Sequence, residues 1–209
     1  MDFAAARKVM VDSQVRVNDV TDRALQAALL AVPRERFLPA ERAYSAYAEI
    51  EPEIAGGRRL MLARDLSKLL MALDARPGET ALAMAAPYAA AVLARLGLDT
   101  TAQESDGAVF DVVGEVLAEE GVRTVTAPLN APAAGGFDVI VCEGAVPGRV
   151  EAWLAALNVG GRMAVVERTG PVGKAVLYVR GEQGVSRREL FNAAPPMLAE
   201  LSPLPIFAL

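Results

Sequence analysis

Apolar positions recur at helical spacing through the first third of the chain and give way to short apolar runs after residue 77. Asp2 stands where it can cap a helix presenting Phe3, Ala6, Met10 and Val17. Asn18 and Asp19 interrupt this helix, and Asp19 with Asp22 resembles a capping box with a shortened acid. A second helix carries Leu25, Leu29 and Val32 on one stripe. It stops before Pro33, because a proline ring disfavours helical backbone in the residue ahead of it. A polar stretch with Tyr44, Tyr47 and Pro52 leads to a Gly56-Gly57 turn. The spacing predicts a third helix from Arg64 to Leu73.

Pro77-Gly78 is a turn, and strand-like runs alternate with helical ones beyond it. Strands are predicted over Thr80 to Met84, Asp99 to Glu104, Val122 to Thr126, Phe137 to Cys142 and Arg162 to Val166. The helices between them are Ala89 to Leu96, Ala108 to Glu119 and Glu151 to Leu157, the last followed by a turn at Asn158-Val159-Gly160-Gly161. This order implies a mostly parallel α/β sheet with helices on both faces and right-handed crossovers. Ala175 to Val179 and Ser186 to Phe191 flank Gly181-Glu182-Gln183-Gly184 and read as a closing antiparallel hairpin. The chain divides into an N-terminal helical extension, residues 1–75, and a Rossmann-like domain, residues 76–209, that includes the hairpin.

Composition narrows the chemistry. With 209 residues, 53% of them apolar, there is chain enough for one well-buried core. A net charge of −5 argues against nucleic acid as the main partner. The charged N-terminus lacks a signal-peptide core, and no apolar run reaches the ~18 residues of a membrane span. The expectation is therefore a cytoplasmic protein, with no membrane partner. Cys142 is the single cysteine, so no internal disulfide forms. The absence of histidine removes Ser-His-Asp and Cys-His catalysis and His-based metal sites, and one cysteine cannot build a structural zinc site. Any chemistry must use carboxylates, hydroxyls, backbone amides or a cofactor.

Met10-Val11, Gln14, Asp22, Leu25 and the run Val32-Pro33-Arg34-Glu35-x-Phe37-x-Pro39 resemble the opening of protein-L-isoaspartate O-methyltransferases. Phe137-Asp138-Val139-Ile140-Val141 with Val146-Pro147, then Leu157-x-x-Gly160-Gly161-Arg162, resemble that family's fourth strand, loop and fifth strand. Arg188-Glu189-Leu190-Phe191 resembles its late strand. The resemblance spans nearly the whole chain. It implies the class I S-adenosylmethionine-dependent methyltransferase fold, and transfer of a methyl group from S-adenosylmethionine to isoaspartyl carboxylates of damaged proteins. Such a transfer needs no strong base. A carboxylate with a pKa of ~4 is already ionised and the sulfonium is already activated, so alignment supplies the catalysis.

Measured against the family pattern, the cofactor machinery is altered. The glycine-rich loop reads Leu82-Ala83-Met84-Ala85-Ala86-Pro87-Tyr88, with no glycine and with a proline that removes an amide donor. The positioning serine falls on Leu62, and the glycine-rich stretch after the third strand reads Ala127-Pro128-Leu129. Ala85, Tyr88 and Glu104 remain as vestigial cofactor-site positions, Glu104 where the fold places an acid on the cofactor ribose. No catalytic or metal-ligating residue is assigned. The resemblance therefore implies an inactive, cofactor-free relative with a binding or scaffold role. The alternatives are an active enzyme that binds S-adenosylmethionine and repairs isoaspartyl peptides, or a domain reshaped for another small ligand.

Individual residues keep a plainer reading beside the functional one. Glu104 is a ribose acid or a solvated acid capping the next helix. Tyr88 contacts ligand or packs in the core, and Glu143 contacts ligand or bonds neighbouring backbone. Arg58, Arg59 and Arg64 bind an acidic peptide or are ordinary surface arginines. Arg34-Glu35-Arg36 reads as a structural ion-pair element, Cys142 as an inert core thiol, and Trp153 as core or subunit interface. The partner is an unidentified protein or an isoaspartyl-containing peptide, and a homodimer is allowed.

Overall fold

The computed structural model describes residues 1–202. Asp2 caps helix α1 (Phe3–Met10) through Ala5 N, 3.0 Å away. The helix continues as a wider turn over Val11–Val15 and a tight turn over Arg16–Asn18. The next cap is Asp22 itself, which accepts from Ala24 N and Leu25 N at the start of α2 (Arg23–Ala31). The Asp19–Asp22 capping box is thus corrected: Asp19 adopts left-handed backbone (φ 62°) and ends the preceding turn. A short hairpin, β1 (Glu53–Ala55) and β2 (Arg58–Arg59), forms about the Gly56-Gly57 turn, and α3 (Ala63–Leu73) follows.

The main sheet contains β3 (Thr80–Met84), β4 (Asp99–Glu104), β5 (Arg123–Thr126), β6 (Phe137–Val146), β7 (Leu157–Glu167), β8 (Gly173–Gly181) and β9 (Gly184–Ala193). Their spatial order is β5-β4-β3-β6-β7-β8-β9. The first five are parallel and the last two close the sheet antiparallel. The intervening helices are α4 (Pro87–Arg95), α5 (Gly107–Glu119) and α6 (Glu151–Ala155). Asn158–Gly161 lies within β7 rather than forming a separate turn, and the pairing register with β6 shifts there.

Strand periodicity sorts the core into two layers. Ala81, Ala83, Val139 and Val141 face a cluster containing Leu66, Ala90 and Val113 of α3, α4 and α5, together with Met10 and Leu29 of the extension. Leu82, Met84, Ile140 and Cys142 face the opposite layer, with Trp153, Leu157 and Tyr178. Among the described residues, that second layer has only the short α6 for an α-helix. Residues 127–136 cross from β5 to β6 without one, and Trp153 Nε1 holds this crossing by donating to Leu129 O at 2.8 Å.

Candidate functional site at the switch point of the sheet

In a doubly wound sheet, ligands bind beyond the carboxyl ends of the strands where the strand order reverses. Here that place lies between β3 and β6. Ala85 leaves β3 fully buried in left-handed backbone (φ 52°), a conformation that suits glycine and that a Cβ makes costly. Pro87 then opens α4, and the Ala86 cap position offers no side-chain acceptor.

The free amides at this helix start are met by Glu143. The register of β6 against β7 shifts between Val141 and Ala145, which brings Glu143 over the strand end. Its carboxylate accepts from Ala89 N at 2.7 Å and Met61 N at 3.3 Å. A helix N-terminus is a ready anion site, and this one is satisfied from inside the protein. Burial pushes the Glu143 carboxyl upward, while Arg34 and the amide bonds work against that shift.

Glu104 ends β4 with no exposed surface. Both its oxygens are engaged by Arg58 Nε, at 2.9 and 3.2 Å, and Arg58 Nη2 donates to Glu200 at 2.9 Å. Neither the solvated, helix-capping reading of Glu104 nor the surface reading of Arg58 holds. The cap of α5 is Asp106, through Ala108 N. Arg58 reaches inward because the β1–β2 hairpin presses on that helix start. A Cβ on Gly56 would lie 2.5 Å from Asp106 Oδ2, and Gly56 is in left-handed backbone (φ 56°), so a larger residue would be strained and would have to displace the Asp106 carboxylate. Burial pushes the Glu104 carboxyl up to about 7 even though Arg58 pulls it down. Arg59 and Arg64 stay half-exposed, with side-chain exposures of 45% and 46%, beside Glu53 and Asp65.

The segment after β9 lies across this site. Met197 bridges in parallel to Ala145, Ala145 N donates to Pro196 O at 2.8 Å, and Leu198 N donates to Ala145 O at 2.9 Å. Leu198 seats on Gly144, whose Cβ, if present, would be 2.7 Å from Leu198 Cδ2. Glu200 joins Arg58 and also accepts from Ser105 Oγ. A cavity of about 20 Å³ remains between this strap, Arg58, Met61 and Glu143, room for about one water molecule. Open depressions flank the strap. One of about 440 Å³ is bordered by Ser105, Ala127, Pro128, Asn130 and Glu200. The other, of about 550 Å³, is bordered by Pro147, Arg168, Thr169, Pro196 and Met197.

The other singled-out residues serve the core. The Tyr88 ring meets Phe37 edge-on at 5.2 Å and lies 4.7 Å under the Arg34 guanidinium. Burial pushes its phenol up to about 12. Arg34 donates to Ala46 O and Met61 O, while Glu35 pairs with Arg7 and Arg36 with Glu119, so the Arg34–Arg36 element is structural. Cys142 is buried, and burial pushes its thiol up. Leu62 begins α3 with no side-chain cap. Among the described residues, no cluster of carboxylates or cysteine could hold a metal, and no helix is long and apolar enough to cross a membrane.

No family model matches the chain. It is 33% identical to a protein-L-isoaspartate O-methyltransferase of Methylorubrum extorquens, over 93% of this chain and 87% of the relative. It is likewise 33% identical to one of Methylorubrum populi, over 91% and 92% of the respective chains. A solved structure from Plasmodium falciparum, assigned as a protein-L-isoaspartate O-methyltransferase and in complex with S-adenosyl-L-homocysteine, superposes with a TM-score of 0.79. It covers 96% of this chain and 99% of its own at 12% identity, a likeness of fold. The relatives match at this level along nearly the whole sequence, and the chain belongs to the protein-L-isoaspartate O-methyltransferase family.

Proposed function

We propose that this family member is a cofactor-free binding or scaffold protein, its cleft occupied by its own side chains. One observation carries the reading. The two polar positions best placed to hold a ligand at the switch point, the end of β4 and the start of α4, are already engaged, by Arg58 on Glu104 and by Glu143 on the Ala89 amide. S-adenosylmethionine does not fit this donor set. Glu104 is fully buried against Arg58, Ala85 brings a Cβ where the backbone would have to approach the cofactor, and the enclosed space beneath the strap is about 20 Å³. The loss of histidine is irrelevant to this conclusion, since methyl transfer to a carboxylate requires alignment more than a base.

The test is isothermal titration of the folded, cofactor-stripped protein with S-adenosylmethionine and with S-adenosylhomocysteine. No heat is expected from either. Micromolar binding would overturn the proposal and restore the active reading suggested by the relatives' names. Formation of base-labile methyl ester on an isoaspartyl peptide would then be the next measurement.

A further inference from the structure

We infer that the groove beneath residues 195–202 is a peptide-binding site, and that this strap is its built-in occupant. The preferred ligand is an extended segment of another protein carrying an apolar residue followed, two positions on, by a carboxylate. The inference deepens the binding role proposed above and rests on that reading.

The strap makes the contacts of a bound peptide. Its backbone adds to β6 beyond the regular sheet through a single parallel bridge and two hydrogen bonds at Ala145. Addition of an extended segment to a strand supplies sequence-independent affinity, and side-chain sockets supply selectivity. There are two sockets. The first is the bare backbone of Gly144, where Leu198 is 3% exposed and which any side chain would close. The second is cationic: Arg58, fixed by Glu104, turns Nη2 toward Glu200, and Ser105 Oγ donates to the same carboxylate. Leu198 and Glu200 stand two residues apart, and these spacings define the ligand. Open depressions of about 440 and 550 Å³ adjoin the strap at Glu200 and at Pro196, Met197 and Ser202. The Glu200 side chain keeps 34% of its surface exposed while Arg58 beneath it keeps 8%, so the strap's half of the ion pair faces solvent and the groove's half is covered.

The test uses the full chain and a fluorescein-labelled peptide with the sequence of residues 194–202. Fluorescence anisotropy is measured with the intact protein and with the double variant Leu198→Ser, Glu200→Ala, which weakens the strap but leaves the groove untouched. The variant is expected to bind the peptide at least tenfold more tightly than the intact protein. A peptide with the leucine and glutamate positions exchanged should bind at least tenfold more weakly. Equal binding of the two peptides, or no binding to a folded variant, overturns the inference. Hydrogen exchange of the intact protein gives a second readout that needs no variant. The Leu198 amide is expected to exchange at least a hundredfold faster than the Val141 amide in the same sheet, and equal protection would make the strap a fixed part of the core. Neither measurement involves cofactor, so cofactor binding by the intact protein would sink the proposed function while leaving these outcomes to be judged separately.

Discussion

Replacing Arg58 by methionine removes a charge while keeping most of the side chain's length, and the cost should depend on pH in a defined way. In the intact protein the Glu104 carboxyl rises from 4.5 to about 7, driven by burial and held back by Arg58. A folded-state value above the unfolded one means that the folded chain binds the proton more tightly. The associated stability is fully present below 4.5 and is lost as pH rises through about 7. Above that point the intact protein has nothing more to lose from this group. Without Arg58 the buried carboxyl has no counter-charge, and such groups reach pKa values of about 8–9. The variant should therefore continue to lose about 1.4 kcal/mol per pH unit where the intact protein has levelled off. The destabilisation caused by R58M should grow by roughly 1 kcal/mol between about pH 7 and pH 8, since the intact carboxyl is still half-protonated at about pH 7, and by only about 0.3 kcal/mol between about pH 6 and pH 7. Urea unfolding followed by circular dichroism at the three pH values measures this. Adding Glu104→Gln should abolish the growth. A destabilisation that is the same at all three pH values would refute the argument that Glu104 is a buried carboxyl neutralised by Arg58.

Ala85→Gly should stabilise the protein by about 1 kcal/mol, because glycine adopts left-handed backbone without the Cβ penalty; urea unfolding that shows no gain would contradict the φ of 52° at this position. Cys142 should react with a disulfide reagent such as DTNB only as fast as the protein unfolds, since it is buried and its thiol is pushed up by burial. Asp22→Ala should cost about 1 kcal/mol through loss of the α2 cap, and a thermal melt with no shift would show that another group satisfies the Ala24 and Leu25 amides.

Much of the fold was legible because the signals are local. Thr80–Met84 and Asp99–Glu104 are β-strands with the predicted ends, set by the turns at Pro77-Gly78 and by the polar residues after Glu104. The long β6 was harder, since Glu143-Gly144 look like a turn in sequence. Only the register shift against β7 and the added pairing with the strap extend the strand to Val146. The candidate site was legible only by what it lacks. The missing loop glycines and the serine position taken by Leu62 can be read from the chain, but what fills the space cannot. Arg58, Glu104 and Glu200 are separated by 46 and then 96 residues, and nothing in local periodicity joins them. Glu104 drew attention by its position at a strand end, yet its charge suggested solvent. Only the hairpin that delivers Arg58 explains how it remains buried. Leu198 gave no signal of its own, and the glycine it covers was legible only as the residue after Glu143.

Arg34 has a consequence for how the molecule comes apart. It links Ala46 and Met61 of the extension to the face of Tyr88 at the start of α4, and one continuous hydrophobic cluster runs from Met10 and Phe37 to Val113 and Val139. Stretches of chain that share a core gain their stability jointly, so neither keeps a folded basin once the other has melted. The single tryptophan, Trp153, lies in the far layer of the sheet, while Tyr47 lies in the extension near Phe3. Emission from Trp153 and far-ultraviolet ellipticity, to which the extension's helices contribute, should therefore report one shared midpoint, and the helices that precede the sheet should behave as part of the same cooperative unit rather than as an attachment to it.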